Sequence, residues 1–215
     1  MKIRVARKPD DAYQHGSLRE ALIQAGLKLL SEGGVATLSL RAAAQLAGVS
    51  HAAPYRHFRD KNALVAAIAE QGYRLLTARM QEEEKRAPAD DLRARLTAIG
   101  VGYVAFALEH PGYFRVIFGG MACAEAVTPE LEAAGAASYQ VLRGLIGEGV
   151  ASGVLRAGDP DELALAAWSM VHGLGMLAID GALAPKLAGA ADFKRVAGRL
   201  TALLQEGLLP RASGA

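Results

Sequence analysis

The stretch SLRAAAQLAGVSHAAPYRHFRDK, residues 39–61, decides the fold. Ser39 can cap a helix over about 40–47 by accepting a free first-turn amide, and the alanine-rich run that follows favours helix. Gly48 ends that helix, because a left-handed backbone costs glycine little and lets the chain turn sharply. Ala44 leaves room for a second helix to approach, and Val49 fills the gap between the two. Ser50 is read as the cap of a second helix over about 51–58. Pro54 falls within or near its first turn, where a missing amide matters least, although it disfavours helical geometry at Ala53. Asp60 then caps a long helix beginning at Lys61. Two short helices around a tight turn, opening on a third, form the arrangement by which small domains place one helix in a DNA major groove.

The content of the second helix points the same way. His51, Tyr55, Arg56 and His57 crowd donors and aromatic edges into two turns, with Arg59 and Lys61 just beyond, as phosphate and base contacts require. A solvated polar face on a core helix would explain the charge but not the interleaving of aromatic and basic residues. Ser39, Arg41 and Ser50 add phosphate or base contacts, since two helix N-termini here aim amides outward. Arg41 and Arg56 are the candidates for reading guanine. The candidate DNA-binding set is therefore Ser39, Arg41, Ser50, His51, Ala52, Tyr55, Arg56, His57 and Lys61, and Phe58 is assigned to the core.

The run AGVSHAAPYRHFRDKNAL, preceded by LREALIQAGLKLLSEGG, resembles the N-terminal DNA-binding domain of the tetracycline-repressor (TetR) family of bacterial transcriptional regulators. The resemblance covers roughly residues 14–75, with Gly34, Ala44, Ala47, Gly48, Val49, Ser50, Tyr55, His57, Phe58 and Lys61 at the family's spacing. A second, shorter resemblance lies at AWSMVHGLGMLAIDG, where Trp168, His172 and Gly173 look like the Trp-His-Gly signature of one class of TetR-type C-terminal domains. The resemblance implies that Tyr55 and His57 hold phosphates and that Lys61 grips the backbone. It also implies a dimer joined by a four-helix bundle from the last two helices of each subunit. Where many members carry Gly-Thr-Leu before the tyrosine, this chain has Ala52-Ala53-Pro54, so base contacts do not transfer.

Charge is distributed to match. The chain of 215 residues has a formal net charge of only +2. Residues 1–61, however, hold ten Lys/Arg against five Asp/Glu, a net +5, and the remainder a net −3. Such asymmetry keeps one end attractive to phosphate and the rest off the DNA. The length suits one small domain and one larger one. The single cysteine, Cys123, excludes an intrachain disulfide and has no basic cluster to activate it, so it reads as an inert thiol. Without a signal-peptide pattern the chain is expected to be cytoplasmic. The uncharged run 163–179 lacks basic flanks and is expected to be a buried helix, with no membrane partner.

Apolar residues recur at three and four positions almost throughout, which predicts an all-α protein. Helices are expected over about 17–32 (burying Leu18, Leu22, Ala25 and Leu29), 61–85, 90–109, 113–118, 129–151, a segment opened by Asp159-Pro160 that carries Trp168 and His172, and 192–207. The last should bury Phe193, Val196, Ala197, Leu200, Leu203 and Leu204 on one face. The expected organisation is a flexible basic arm (1–14), a three-helix helix-turn-helix DNA-binding domain (15–62), a ligand-binding and dimerisation domain (63–209) and a frayed tail (210–215). The arm's Lys2, Arg4, Arg7 and Lys8 are read as a solvated tail, with minor-groove insertion as the alternative.

The larger domain is rich in aromatics and methionines, which suit a concave apolar effector site. Its candidate ligand-binding residues are Tyr103, Phe106, Phe114, Phe118, Met121, Tyr139, Trp168, His172 and Met176. A buried, hydrogen-bonded core role competes for His172. Gly173 and Gly175, inside a helix at ~1 kcal/mol each relative to alanine, suggest close helix approach or ligand room. No metal-ligand spacing, phosphate loop or nucleophile elbow is found, so no metal, cofactor or enzymatic activity is expected. The expected partners are double-stranded operator DNA, a small apolar or amphipathic effector and a second copy of the chain. A helical ligand-binding or assembly protein without operator binding is the alternative.

Overall fold

The computed structural model describes residues 15–120, 127–183, 187 and 189–208. Among them there is no strand. Eight α-helices follow in order: α1 (His15–Gly33), α2 (Leu40–Leu46), α3 (Lys61–Glu84), α4 (Leu92–Glu109), α5 (Pro111–Phe118), α6 (Pro129–Ala151), α7 (Pro160–Ile179) and α8 (Ala190–Leu208). A 3₁₀ helix, Pro54–Arg56, lies between α2 and α3. The chain forms two compact units, Met1–Leu64 and Val65–Ala215, and α3 begins in the first and continues in the second.

In the first unit α1 packs on α2. Leu22 and Ala25 are buried as expected, but Leu18 and Leu29 are only half-buried. Ile23, Gly26 and Leu30 take their places, so the stripe that α1 buries is rotated from the one anticipated. Leu40, Ala43, Ala44 and Phe58 supply much of the remaining core. The Arg19 guanidinium lies 5.7 Å from the centre of the Phe58 ring, a cation–π contact over a residue confirmed as core.

In the second unit α4 is buried nearly all round and packs against α5, α6, α7 and α8. Such a helix belongs in the middle of a core. Gly102 shows how tightly it is held: a Cβ there would stand 2.9 Å from the Met80 Cα and 3.0 Å from the Arg79 carbonyl oxygen. The backbones of α3 and α4 therefore cross with no side chain between them. Beside this crossing Arg79 Nε bonds Glu109 Oε2 at 2.9 Å, and Lys194 of α8 reaches Glu109 Oε1 at 3.5 Å. The Arg79 hydrogen bond, more than any other contact, holds the Glu109 carboxyl below the usual carboxylate range.

Side-chain caps set the starts of α4, α6 and α7: Asp91 accepts from the Ala94 amide, Thr128 from Leu131 and Asp159 from Asp161. α7 is long and apolar enough to cross a membrane by composition. It packs instead on α4, α6 and α8, burying Ala164, Ala167, Val171, Leu174 and Gly175. α8 departs from expectation. Its buried line is Phe193, Ala197, Thr201 and Gln205, while Val196, Leu200 and Leu204 are half-buried and Leu203 is 58% exposed. Two polar side chains take interior positions because each finds hydrogen-bond partners there.

Candidate functional site

In the first unit the candidate DNA-binding residues lie on α2 and the segment after it. Ser39 Oγ accepts the Ala42 amide at 3.0 Å, fixing the start of α2. Gly48 closes it with φ +71°, and the Val49 amide returns to the Ala44 carbonyl at 3.0 Å. The following segment is not the regular helix expected over 51–58. His51 and Ala52 lie in a turn, and only Pro54–Arg56 is helical, in 3₁₀ form. Pro54 has no amide to give the Ser50 carbonyl, which takes the Ala53 amide three residues on instead. The tighter three-residue bonds then continue from Arg56 to Ala53 and from His57 to Pro54. Ser50 does not cap this helix with its side chain; the residue before it is Ala53, which holds helical geometry.

The short segment still presents the candidate residues outward. Arg41, Ser50, His51, Ala52, Tyr55, Arg56 and Lys61 are exposed, Tyr55 by 55%, and His57 is half-buried beside the Phe58 ring. Asp60 Oδ1 accepts the Ala63 amide at 2.8 Å, capping α3 so that Lys61 stands at its first position. Ser39 spends its hydroxyl oxygen on the cap but keeps its proton for an external acceptor.

The second unit holds a cavity of about 190 Å³, lined by α3 to α8. Its walls are mainly apolar, with Leu76 and Met80 from α3, Leu96 and Ile99 from α4, and Trp168 and Met170 from α7 among them. No Lys, Arg, His, Asp or Glu lines it among the described residues. Polar atoms enter from Tyr73, Tyr103, Ser138, Tyr139, Thr201 and Gln205.

Tyr103, Trp168 and His172 form one relay at the wall. The Trp168 indole N–H donates to Tyr103 Oη at 3.0 Å, and Tyr103 Oη lies 2.9 Å from His172 Nδ1. Indole can only donate, so Tyr103 Oη accepts from it, and the hydroxyl also meets the His172 imidazole, whose tautomer sets the direction of that second bond. Burial pushes the Tyr103 phenol far up and the His172 imidazolium down, and both groups are neutral at pH 7. The unfolded chain then takes up a proton at His172 before the folded chain does. Folded-state stability is fully present above the ordinary histidine value of 6.5 and declines as pH falls below it. Tyr103→Phe strands the Trp168 indole donor and the His172 Nδ1 together. It is expected to cost about 1–3 kcal/mol, seen as a thermal midpoint lower by ~2–4 °C per kcal/mol.

Of the expected ligand residues, Tyr103, Phe118, Tyr139 and Trp168 do line the cavity. Phe106 and Phe114 do not: both are fully buried in the packing behind it. His172 is not a wall residue either, because its ring is stacked on Phe114 at 5.5 Å and linked to Tyr103. Met176 is half-buried elsewhere on α7. Met121 and Cys123 lie outside the described residues. Gly175 permits a close approach, since a Cβ there would stand 3.3 Å from both Ala107 and Phe114. Gly173 opens onto free space. Tyr73, Ser138, Thr201 and Gln205 were missed, although Thr201 and Gln205 continue the Phe193–Ala197 spacing of α8 as polar residues in an apolar stripe. No group of three or more His, Cys, Asp or Glu able to hold a metal occurs among the described residues.

Comparison with known proteins agrees with both units. Residues 22–68 match the family model for bacterial regulatory proteins of the tetR family, and residues 96–203 that of the tetracyclin repressor-like C-terminal domain. A protein with unknown function from Rhodococcus sp. RHA1 is 35% identical, with a TM-score of 0.79 over 93% of this chain and 99% of that one. The regulator FadR from Bacillus subtilis, in complex with stearoyl-CoA, shares the fold at 15% identity, with a TM-score of 0.70 over 88% of this chain and 98% of that one. The nucleoid occlusion factor SlmA of Marinobacter nauticus is 32% identical over 110 residues, 49% of this chain, and the match spans only 53% of SlmA. With head and body each matched by the family's own models, the chain belongs to the tetR family of bacterial regulatory proteins.

Proposed function

We propose that this chain is a homodimeric, one-component transcriptional regulator that represses from a near-palindromic operator and is released by a small apolar or amphipathic effector. The observation that carries this reading is α3. The helix presents Lys61 at its start and, from twelve residues further on, supplies Tyr73, Leu76 and Met80 to the cavity wall. In this reading α3, which begins in the first unit and continues in the second, is the element through which a ligand in the second acts on the first. Effector relieves repression only to the extent that it prefers the non-binding state.

The DNA contacts in this reading are Ser39, Arg41, Ser50, His51, Ala52, Tyr55, Arg56, His57 and Lys61. Lys61 and Tyr55 hold phosphates, and Arg41 and Arg56 are the readers of guanine. Dimerisation uses the outward face of α7, where Leu165 and Leu177 are 54% and 48% exposed around Ala166, Ser169 and Gly173. The small residues let a second copy's helix come close, and Leu203 of α8 extends the apolar surface.

Gel shifts on DNA upstream of the protein's own gene, with and without candidate compounds, test the reading. A complex unchanged at saturating compound rejects induction by that compound, and absence of any complex at low salt rejects operator binding. Lys61→Ala is expected to weaken binding across all sequences and to reduce the slope of log K against log salt by about one. A sequence-selective loss would reassign Lys61 to base reading.

A further inference from the structure

We infer that the effector of this cavity is an uncharged bicyclic aromatic, or a molecule of similar size, bearing one hydroxyl or carbonyl that hydrogen-bonds the Ser138 hydroxyl. The inference rests on the effector reading above and gives it a chemical class. It follows from counting what the polar wall atoms already do. Both amide protons of Gln205 are committed, to the Arg93 carbonyl and to Thr97 Oγ1 at 3.0 Å each. Thr201 donates to the Ala197 carbonyl at 2.8 Å. The Tyr103 hydroxyl is spent between the Trp168 indole and the His172 imidazole, so these side chains offer the cavity their apolar faces.

Tyr139 Oη reaches the Asp161 carbonyl at 3.5 Å, which leaves the hydroxyls of Ser138 and Tyr73. Ser138, on α6, is 5% exposed, lines the cavity and makes no side-chain hydrogen bond among the described residues. Because this hydroxyl has both a proton and lone pairs to offer and sits at the cavity wall, a ligand atom in the cavity can pair with it. Tyr73 likewise makes no hydrogen bond through its hydroxyl among the described residues. Its ring lies 3.6 Å from where a Cβ of Gly135 would stand, one helical turn before Ser138 on α6. The polar end of a ligand therefore belongs at the α3–α6 side, and its apolar body against Trp168 and Phe118.

Size and charge narrow the class. The cavity is somewhat larger than the roughly 150 Å³ apolar cavity known to accept benzene, which suits two fused rings. A carboxylate or phosphate buried here would meet no lining cation among the described residues, and an unpaired buried charge is disfavoured by several kcal/mol.

Equilibrium dialysis of the full chain at pH 7 against naphthalene, 2-naphthol and 2-naphthoate tests this. The parent chain is expected to bind 2-naphthol about five-fold more tightly than naphthalene, the worth of one net hydrogen bond. It is expected to bind 2-naphthoate at least ~30-fold more weakly than 2-naphthol. Ser138→Ala should bring the naphthol-to-naphthalene ratio close to one while leaving naphthalene binding intact, and Ser138→Thr, which keeps the hydroxyl, should preserve the ratio. Retained naphthalene binding by Ser138→Ala shows that this variant is folded. Comparable binding of 2-naphthoate, or a ratio indifferent to Ser138→Ala, overturns the assignment and leaves the effector cavity standing. Failure of all three probes to bind overturns the cavity as an effector site, and this inference with it.

Discussion

Leu177→Arg is expected to give a folded monomer whose affinity for operator DNA is lower than that of the parent chain by about a hundredfold or more. Leu177 is 48% exposed on α7, so a guanidinium there reaches solvent in a single chain and leaves the core untouched. In the proposed dimer two copies would bury that charge against Leu165 and the small residues Ala166, Ser169 and Gly173. One small head carries few specific contacts. Pairing makes the second half-site intramolecular, and its loss removes that gain without removing any contact to DNA. Analytical ultracentrifugation gives the mass and gel shifts give the affinity. A variant that stays dimeric would move the interface away from α7, and a monomer that binds operator as tightly as the parent would remove dimerisation from the mechanism.

Phe114→Ala is expected to destabilise the chain by about 3–5 kcal/mol, lowering the thermal midpoint by ~2–4 °C for each kcal/mol. Phe114 is fully buried. Its ring packs on Tyr103 at 5.7 Å, Phe106 at 6.3 Å, Phe118 at 4.9 Å and His172 at 5.5 Å. Truncation opens a void behind the Trp168–Tyr103–His172 relay rather than enlarging the cavity in front of it. Calorimetry should therefore register the change first, before any change in ligand preference. A variant of parental stability with altered ligand binding would return Phe114 to the cavity wall.

These two residues mark the line between what was legible and what was not. Leu177 and Phe114 are both large apolar side chains in helical sequence, and nothing in their spacing says that one is exposed and the other enclosed. Phe106 and Phe114 read as ligand residues because aromatic content is visible in a sequence while depth is not. Ser138 was overlooked because a serine on a helix rich in alanine and glycine carries no local signal. Its importance comes from lacking a partner, a property of its neighbours. Leu203 was placed inside by an apolar stripe that the fold answered one position around, with Thr201 and Gln205 buried in its stead.

The helix starts at Ser39, Asp60, Thr128 and Asp159, the turn at Gly48 and the all-α class were written in the chain itself. Caps, prolines and left-handed glycines act over three or four residues and need no distant partner. Which aromatics became wall and which became core, and which hydroxyl was left unpaired, were decided only when the helices packed. Enclosure and hydrogen-bond satisfaction depend on side chains brought together from as far apart as Arg93 and Gln205, and no local rule ranks such contacts before the fold exists.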